Sequence, residues 1–157
     1  DVISYSAAIS ACEKGEQWEK ALGLLREMPH RLVEPDVISY SAAISACEKG
    51  EQWEKALGLL REMPHRLVEP DVISYSAAIS ACEKGEQWEK ALGLLREMPH
   101  RLVEPTVISY SAAISACEKG EQWEKALGLL REMPHRERKS TRLNYSPDLS
   151  SYAVVGV

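Results

Sequence analysis

The chain has 157 residues, a net charge of −5 and an apolar share of 45%. No apolar run reaches the roughly 18 residues of a membrane span, and no charged-then-apolar leader opens the chain. The acidic balance counts against a protein that gains affinity by neutralising phosphates wholesale.

A 35-residue unit, DVISYSAAISACEKGEQWEKALGLLREMPHRLVEP, fills residues 1–35 and recurs letter for letter at 36–70 and 71–105. A fourth copy begins at Thr106 and follows the pattern to Arg136. A fixed period of about 20–50 residues signals stacked units that each contact only their neighbours. Function is then expected on a surface built by stacking, not in a single pocket.

Within the first unit, Asp1 is a good N-cap, and Tyr5, Ala8, Ile9 and Cys12 follow at helical spacing. Gly15 breaks that pattern. In the second half Trp18, Ala21, Leu22, Leu25 and Met28 mark one face of a second helix. Glu16 and Lys20 are placed for an i,i+4 pair. Pro29 is expected to stop the helix, and HRLVEP returns the chain to the next copy. Gly23 lies inside the second helix, where it costs about 1 kcal/mol against Ala; a close-packed neighbour would explain it. The expected unit is a helical hairpin too small to bury its own apolar residues. Trp18, Trp53, Trp88 and Trp123 are expected to be the largest buried contributions between units.

Cys12, Cys47, Cys82 and Cys117 occur once per unit at equivalent positions, as small core residues. Translation by one unit does not bring equivalent Cα atoms within disulfide range. His30 and its copies lack a second ligand at metal spacing. His135-Arg136-Glu137 spells H-x-E, but no Cys follows Cys117 to complete a deaminase zinc site. The sequence therefore predicts no catalytic constellation, no metal and no cofactor.

The letters Val-Ile-Ser-Tyr, Ile9, Cys12, Lys14, Ala21-Leu22, Leu24-Leu25, Met28 and the closing Pro-Asp resemble the pentatricopeptide repeat (PPR), the plain 35-residue type, over residues 2–136. The resemblance implies an all-α, right-handed α-solenoid of stacked helix-turn-helix repeats. Its units would be 2–36, 37–71, 72–106 and a truncated 107–136, followed by a non-repeat tail, 137–157. It implies sequence-selective single-stranded RNA binding, one base per unit. Base-reading positions would be Ser6, Ser41, Ser76 and Ser111 with Asp36, Asp71 and Thr106. Base-stacking positions would be Ile3, Ile38, Ile73 and Ile108. Phosphate contacts would fall to Lys14, Lys49, Lys84 and Lys119. Serine paired with Asp favours guanine in the family's scheme, so the expected register is 5′-GG followed by two weakly specified bases. The family serves mitochondria or chloroplasts.

A protein-interaction scaffold on the same superhelix is the alternative favoured by the negative charge, and a non-functional fragment of a longer array is a third reading. The periodicity fails after Arg136, where ERKSTRLNYSPDLSSYAVVGV turns basic, then Ser-rich, then apolar. That stretch, disordered or artefactual, lacks the amphipathic helix of a solenoid cap. The fourth unit would then be uncapped, a surface for protein partners or self-association.

Overall fold

The computed structural model describes residues 1–134, so the tail assigned to 137–157 and the end of the fourth unit lie outside it. The described chain forms eight α-helices: α1 (Val2–Lys14), α2 (Trp18–His30), α3 (Val37–Lys49), α4 (Trp53–His65), α5 (Val72–Lys84), α6 (Trp88–Glu97), α7 (Val107–Lys119) and α8 (Trp123–Glu132). There is no strand among the described residues, and no helix of theirs is long and apolar enough to cross a membrane.

Each odd-numbered helix starts on a cap. The Ser39 backbone N–H donates to Asp36 Oδ1 at 3.0 Å, and the Asp36 N–H donates to Ser39 Oγ at 2.7 Å. Asp71 and Ser74 repeat this reciprocal closure, which satisfies two backbone donors at once. At Thr106 the backbone N–H still donates to Ser109 Oγ, at 2.7 Å.

The turn inside each unit is tight. In the first, the Gln17 N–H reaches back to the Cys12 carbonyl at 2.8 Å. The residue that takes the left-handed conformation there is Glu16 (φ 56°), while Gly15 stays at φ −85°. Gly15 is therefore not in the turn for its conformational freedom.

Pro29 does not stop the second helix: α2 runs through it to His30. Proline fixes φ near the helical value and removes only one backbone donor. The end comes at Leu32 (φ 60°), with the Val33 N–H closing on the Met28 carbonyl at 2.9 Å. In the third unit the equivalent segment tightens to a 3₁₀ turn over Met98–Arg101.

The odd-numbered helices pack side by side as one continuous layer, α1–α3–α5–α7, and each even-numbered helix wedges against the odd-numbered helices of its own and the following unit. Neighbouring even-numbered helices make no comparable backbone approach. A layer packed through Ala42, Ala43 and Ala46 is narrower than one separated by wedged side chains, so the stack bends with the odd-numbered helices inside. The core runs unbroken between units through Ile9, Leu25, Tyr40, Ile44, Leu60, Met63, Tyr75, Ile79, Leu94, Leu95 and Met98. Each such side chain contributes about 1.5–3 kcal/mol on full burial.

The tryptophans are not core residues. Trp18, Trp53 and Trp88 are half-buried at the joints, and Trp123, in the last described unit, is 66% exposed. Each indole lies on the glycine after the next unit's first helix: a Cβ at Gly50, Gly85 or Gly120 would collide with Trp18, Trp53 or Trp88. Lys55, Lys90 and Lys125 stand over the same three rings, at 5.8, 5.9 and 5.9 Å from their centres. These lysines serve the joint between units, not the helical pair expected with the preceding glutamate. Gly23, by contrast, has nothing within 4 Å of where its Cβ would stand, so no close neighbour explains it.

Candidate functional site

The odd-numbered helices bring most of the sequence-predicted positions onto one layer. Ile3, Ile38, Ile73 and Ile108 stand in their first turns, 76%, 59%, 60% and 68% exposed. A branched apolar side chain left in water once per unit contributes little to the core, and the stack repeats it as a row.

Asp36 and Asp71 sit beside that row as helix caps. Oδ1 holds the Ser39 or Ser74 N–H, which leaves Oδ2 outside the cap. Thr106 is exposed at the corresponding site.

The serines are less open than the sequence predicts. Ser6 and Ser41 are buried at the seam with the following unit's first helix, and neither Oγ has a hydrogen-bond partner. Ser76 is half-buried, and Ser111, in the last described unit, is exposed. A buried hydroxyl left unpaired costs about 1–3 kcal/mol. For Ser6 and Ser41 to meet a ligand, the side chain must rotate or the seam must part slightly.

Lys14 is exposed at the end of α1, but the other three lysines of the row are partnered across the joints. Lys49 Nζ lies 2.5 Å from Glu13, Lys84 2.6 Å from Glu48, and Lys119 2.5 Å from Glu83. The hydrogen bond to Glu13 raises the pKa of Lys49, and that to Glu83 raises Lys119. The inner row is thus a chain of neutral pairs, with charge left over only at its two ends. Lys14 remains at one and Glu118 at the other.

A second network was not legible in the sequence. Arg26 of the first unit forks onto Glu62 of the second, at 2.7 and 2.9 Å, and the Tyr40 hydroxyl donates to the same carboxylate at 2.6 Å. Arg61, Glu97 and Tyr75 repeat it at 2.7 and 2.5 Å, and Arg96, Glu132 and Tyr110 form it again. Burial and the Glu62 hydrogen bond push Tyr40 up to about 12. Burial pushes Glu62 upward, but Arg26 and Tyr40 outweigh it and leave its pKa below the ordinary value. The only sequence signal was a recurrent Arg-to-Glu separation of one unit plus one residue.

Cys47 and Cys82 are buried, and burial pushes each thiol up to about 11. They pack the core and are poor nucleophiles. No group of three or more His, Cys, Asp or Glu side chains among the described residues could hold a metal.

Family comparison matches the PPR repeat family over residues 1–49, the pentatricopeptide repeat domain over 58–119, and the PPR repeat over 38–66 and 108–137. A search of curated proteins returns no significant match. Among solved structures, the chain is similar to the maize pentatricopeptide repeat protein PPR10 (TM-score 0.70, 22% identity, 84% of this chain and 19% of that one). It is also similar to PPR10 in complex with an 18-nt psaJ RNA element (TM-score 0.76, 26% identity, 97% and 21%). A third similar structure is the PPR domain of Arabidopsis thaliana protein-only RNase P 1 in complex with tRNA (TM-score 0.70, 15% identity, 99% and 79%). The chain spans about a fifth of the length of PPR10.

Proposed function

The chain belongs to the pentatricopeptide repeat family, and from that premise we propose that it binds single-stranded RNA along its inner layer without catalysing a reaction. The observation that carries this reading is the exposed row Ile3, Ile38, Ile73 and Ile108 beside the aspartate-capped helix starts. PPR10, similar over nearly the whole of this chain, forms a complex with an RNA element.

In this proposal the isoleucines of consecutive units clamp a base between them. The free oxygen of Asp36 or Asp71 accepts from the base edge, supported by Ser6 or Ser41. Those two units prefer G. The unit ending in Thr106 (Ser76) and the fourth (Ser111) are weakly specified. Lys14 meets phosphate directly, whereas Lys49, Lys84 and Lys119 must exchange a glutamate for it.

That exchange makes the electrostatic gain small. Base stacking supplies roughly 1–3 kcal/mol per base, and association consumes much of it. Binding is micromolar or weaker, with a shallow salt dependence. The units are 2–36, 37–71, 72–106 and 107–136, each reading one base. The proposed setting is an organelle, a mitochondrion or chloroplast, a reading supported by family membership.

Fluorescence anisotropy with G-, A-, U- and C-rich RNAs at low salt tests the reading. The parent chain should prefer G-rich RNA, and Asp36→Asn with Asp71→Asn should move that preference toward A. Failure to bind any of the four at high protein concentration overturns it. The neutral lysine row and the net charge of −5 support a second reading, a scaffold for protein partners, which that failure would favour.

A further inference from the structure

The lysine row has an acidic partner at every internal joint. Glu13 of the first unit meets Lys49 of the second, Glu48 meets Lys84, and Glu83 meets Lys119. Glu48 and Lys49 are neighbours in the chain, as are Glu83 and Lys84, so one line of alternating charge crosses all three joints. The carboxylates are the more enclosed partners. The Glu13 side chain is 18% exposed and that of Lys49 38%, and the other two pairs repeat the difference. Each lysine is within reach of solvent while its glutamate is held at the seam.

The lysines face more negative charge than they carry. Around Lys49 the hydrogen bond to Glu13, against the opposing effect of burial, and then the charges of Glu13, Glu48 and Glu16 raise the ammonium pKa. Glu83, Glu86 and Glu118 do the same around Lys119. Both lysines also stand in the last turns of their helices, α3 and α7, where the helix dipole is negative. A phosphate arriving there meets a cation already taken and a surplus of carboxylates around it. The joints do not depend on these pairs. Part-exposed ion pairs add little to stability, and each joint already has its Trp against Gly and its Arg against Glu.

We propose that Glu13, Glu48 and Glu83 are built-in competitors of a phosphate backbone, holding Lys49, Lys84 and Lys119 closed to it. The proposal deepens the RNA reading and rests on the inner layer being the RNA face. A phosphate that takes a lysine leaves a carboxylate free beside itself, so the exchange yields almost nothing. A polyanion without bases therefore stays unbound at concentrations where a single strand, whose bases also fill the isoleucine clamps, still binds. The glutamates set the strength and the salt response of binding and leave the choice of base alone.

Anisotropy of end-labelled inorganic polyphosphate and of G-rich and C-rich RNA, over a salt series, tests this with the full chain. The triple variant Glu13→Gln, Glu48→Gln, Glu83→Gln should bind polyphosphate at least about tenfold more tightly than the parent. Its slope of log affinity against log salt for RNA should steepen by about 2, roughly 0.7 for each lysine released. Its ratio of G-rich to C-rich affinity should stay that of the parent. Glu19→Gln with Glu54→Gln and Glu89→Gln, exposed on the even-numbered helices, alters the net charge equally and should change neither polyphosphate affinity nor slope. Glu48→Gln alone should give part of the gain, and adding Lys84→Gln should abolish it. That pair carries the test if circular dichroism shows the triple variant to have lost helicity. A gain that survives removal of the lysine overturns the proposal, as does a folded triple variant with the parent's slope and polyphosphate affinity. A parent that binds no RNA, with the polyphosphate gain intact, overturns the RNA reading and keeps the competition. RNA binding by the parent with no gain in any variant does the reverse.

Discussion

Two sets of glycines recur in this chain for opposite reasons. Gly58 and Gly93 have nothing within 4 Å of where a Cβ would stand, so Gly58→Ala should stabilise the protein by about 0.5–1 kcal/mol through helix propensity alone. Gly85 lies under the Trp53 indole, and Gly85→Ala should destabilise it because a ring must shift. Urea denaturation of the two variants should give midpoints on opposite sides of the parent. In the sequence Gly15 marks only where the first helical pattern breaks; the left-handed bend falls on the next residue, Glu16, Glu51, Glu86 or Glu121. Cysteine burial was legible, because periodicity alone puts the thiols on the packed face. Its gradient follows from stacking: Cys12, in the first unit, is part-exposed, whereas Cys47, Cys82 and Cys117 are buried. Timed alkylation under native conditions should therefore modify Cys12 first, with Cys47 and Cys82 protected.

At the scale of the helix, the local signals were read correctly where they are local. Asp36 and Asp71 cap as predicted, since an N-cap needs only its own next three residues. Pro29 was misread because one proline in a last turn removes one bond and no more. The Arg–Glu–Tyr clusters were invisible because their members meet only after units stack. They have a measurable consequence. Glu62 and Glu97 titrate below the ordinary glutamate value in the folded chain, each with burial opposed and outweighed by Arg and Tyr hydrogen bonds. A carboxylate depressed by folding stabilises above its unfolded pKa and loses that contribution as pH falls through the folded one. Stability should thus hold at neutral pH and decline as pH drops below about 4.5, the ordinary value. In Glu62→Gln with Glu97→Gln, thermal melts across that range should show a lower plateau and a shallower acid slope. An unchanged slope would remove these clusters from the acid response.

For the whole molecule, the period gave the architecture almost outright, and the candidate site less well. The isoleucine row came from the family resemblance; Ile38 and Ile73 are exposed while Ser39, Tyr40, Ser74 and Tyr75 of the same first turns are buried, a division that only packing decides. The enclosure of Ser6 and Ser41 and the neutralisation of Lys49, Lys84 and Lys119 depend on how closely the odd-numbered helices approach, which no single unit encodes. Quasi-one-dimensional stacking predicts that stability is a sum over units and joints. Deleting residues 36–70 joins Pro35 to Asp71, a junction already present at Pro35 and Asp36. The shortened chain should keep the same helicity per described residue, unfold at lower urea, and show a denaturant slope reduced by about a quarter in proportion to its lost surface.

Letter-for-letter sameness of the first three units also strips the folding chain of any address. A first hairpin meeting the third finds a seat as good as the one offered by the second, and only the entropy of looping out the skipped segment disfavours it, by an amount that grows slowly with length. Refolding from denaturant should therefore show a slow phase in which skipped hairpins are released and reseated. Substitutions that give each seat its own shape, such as a matched size swap at one tryptophan and its glycine, should shorten it.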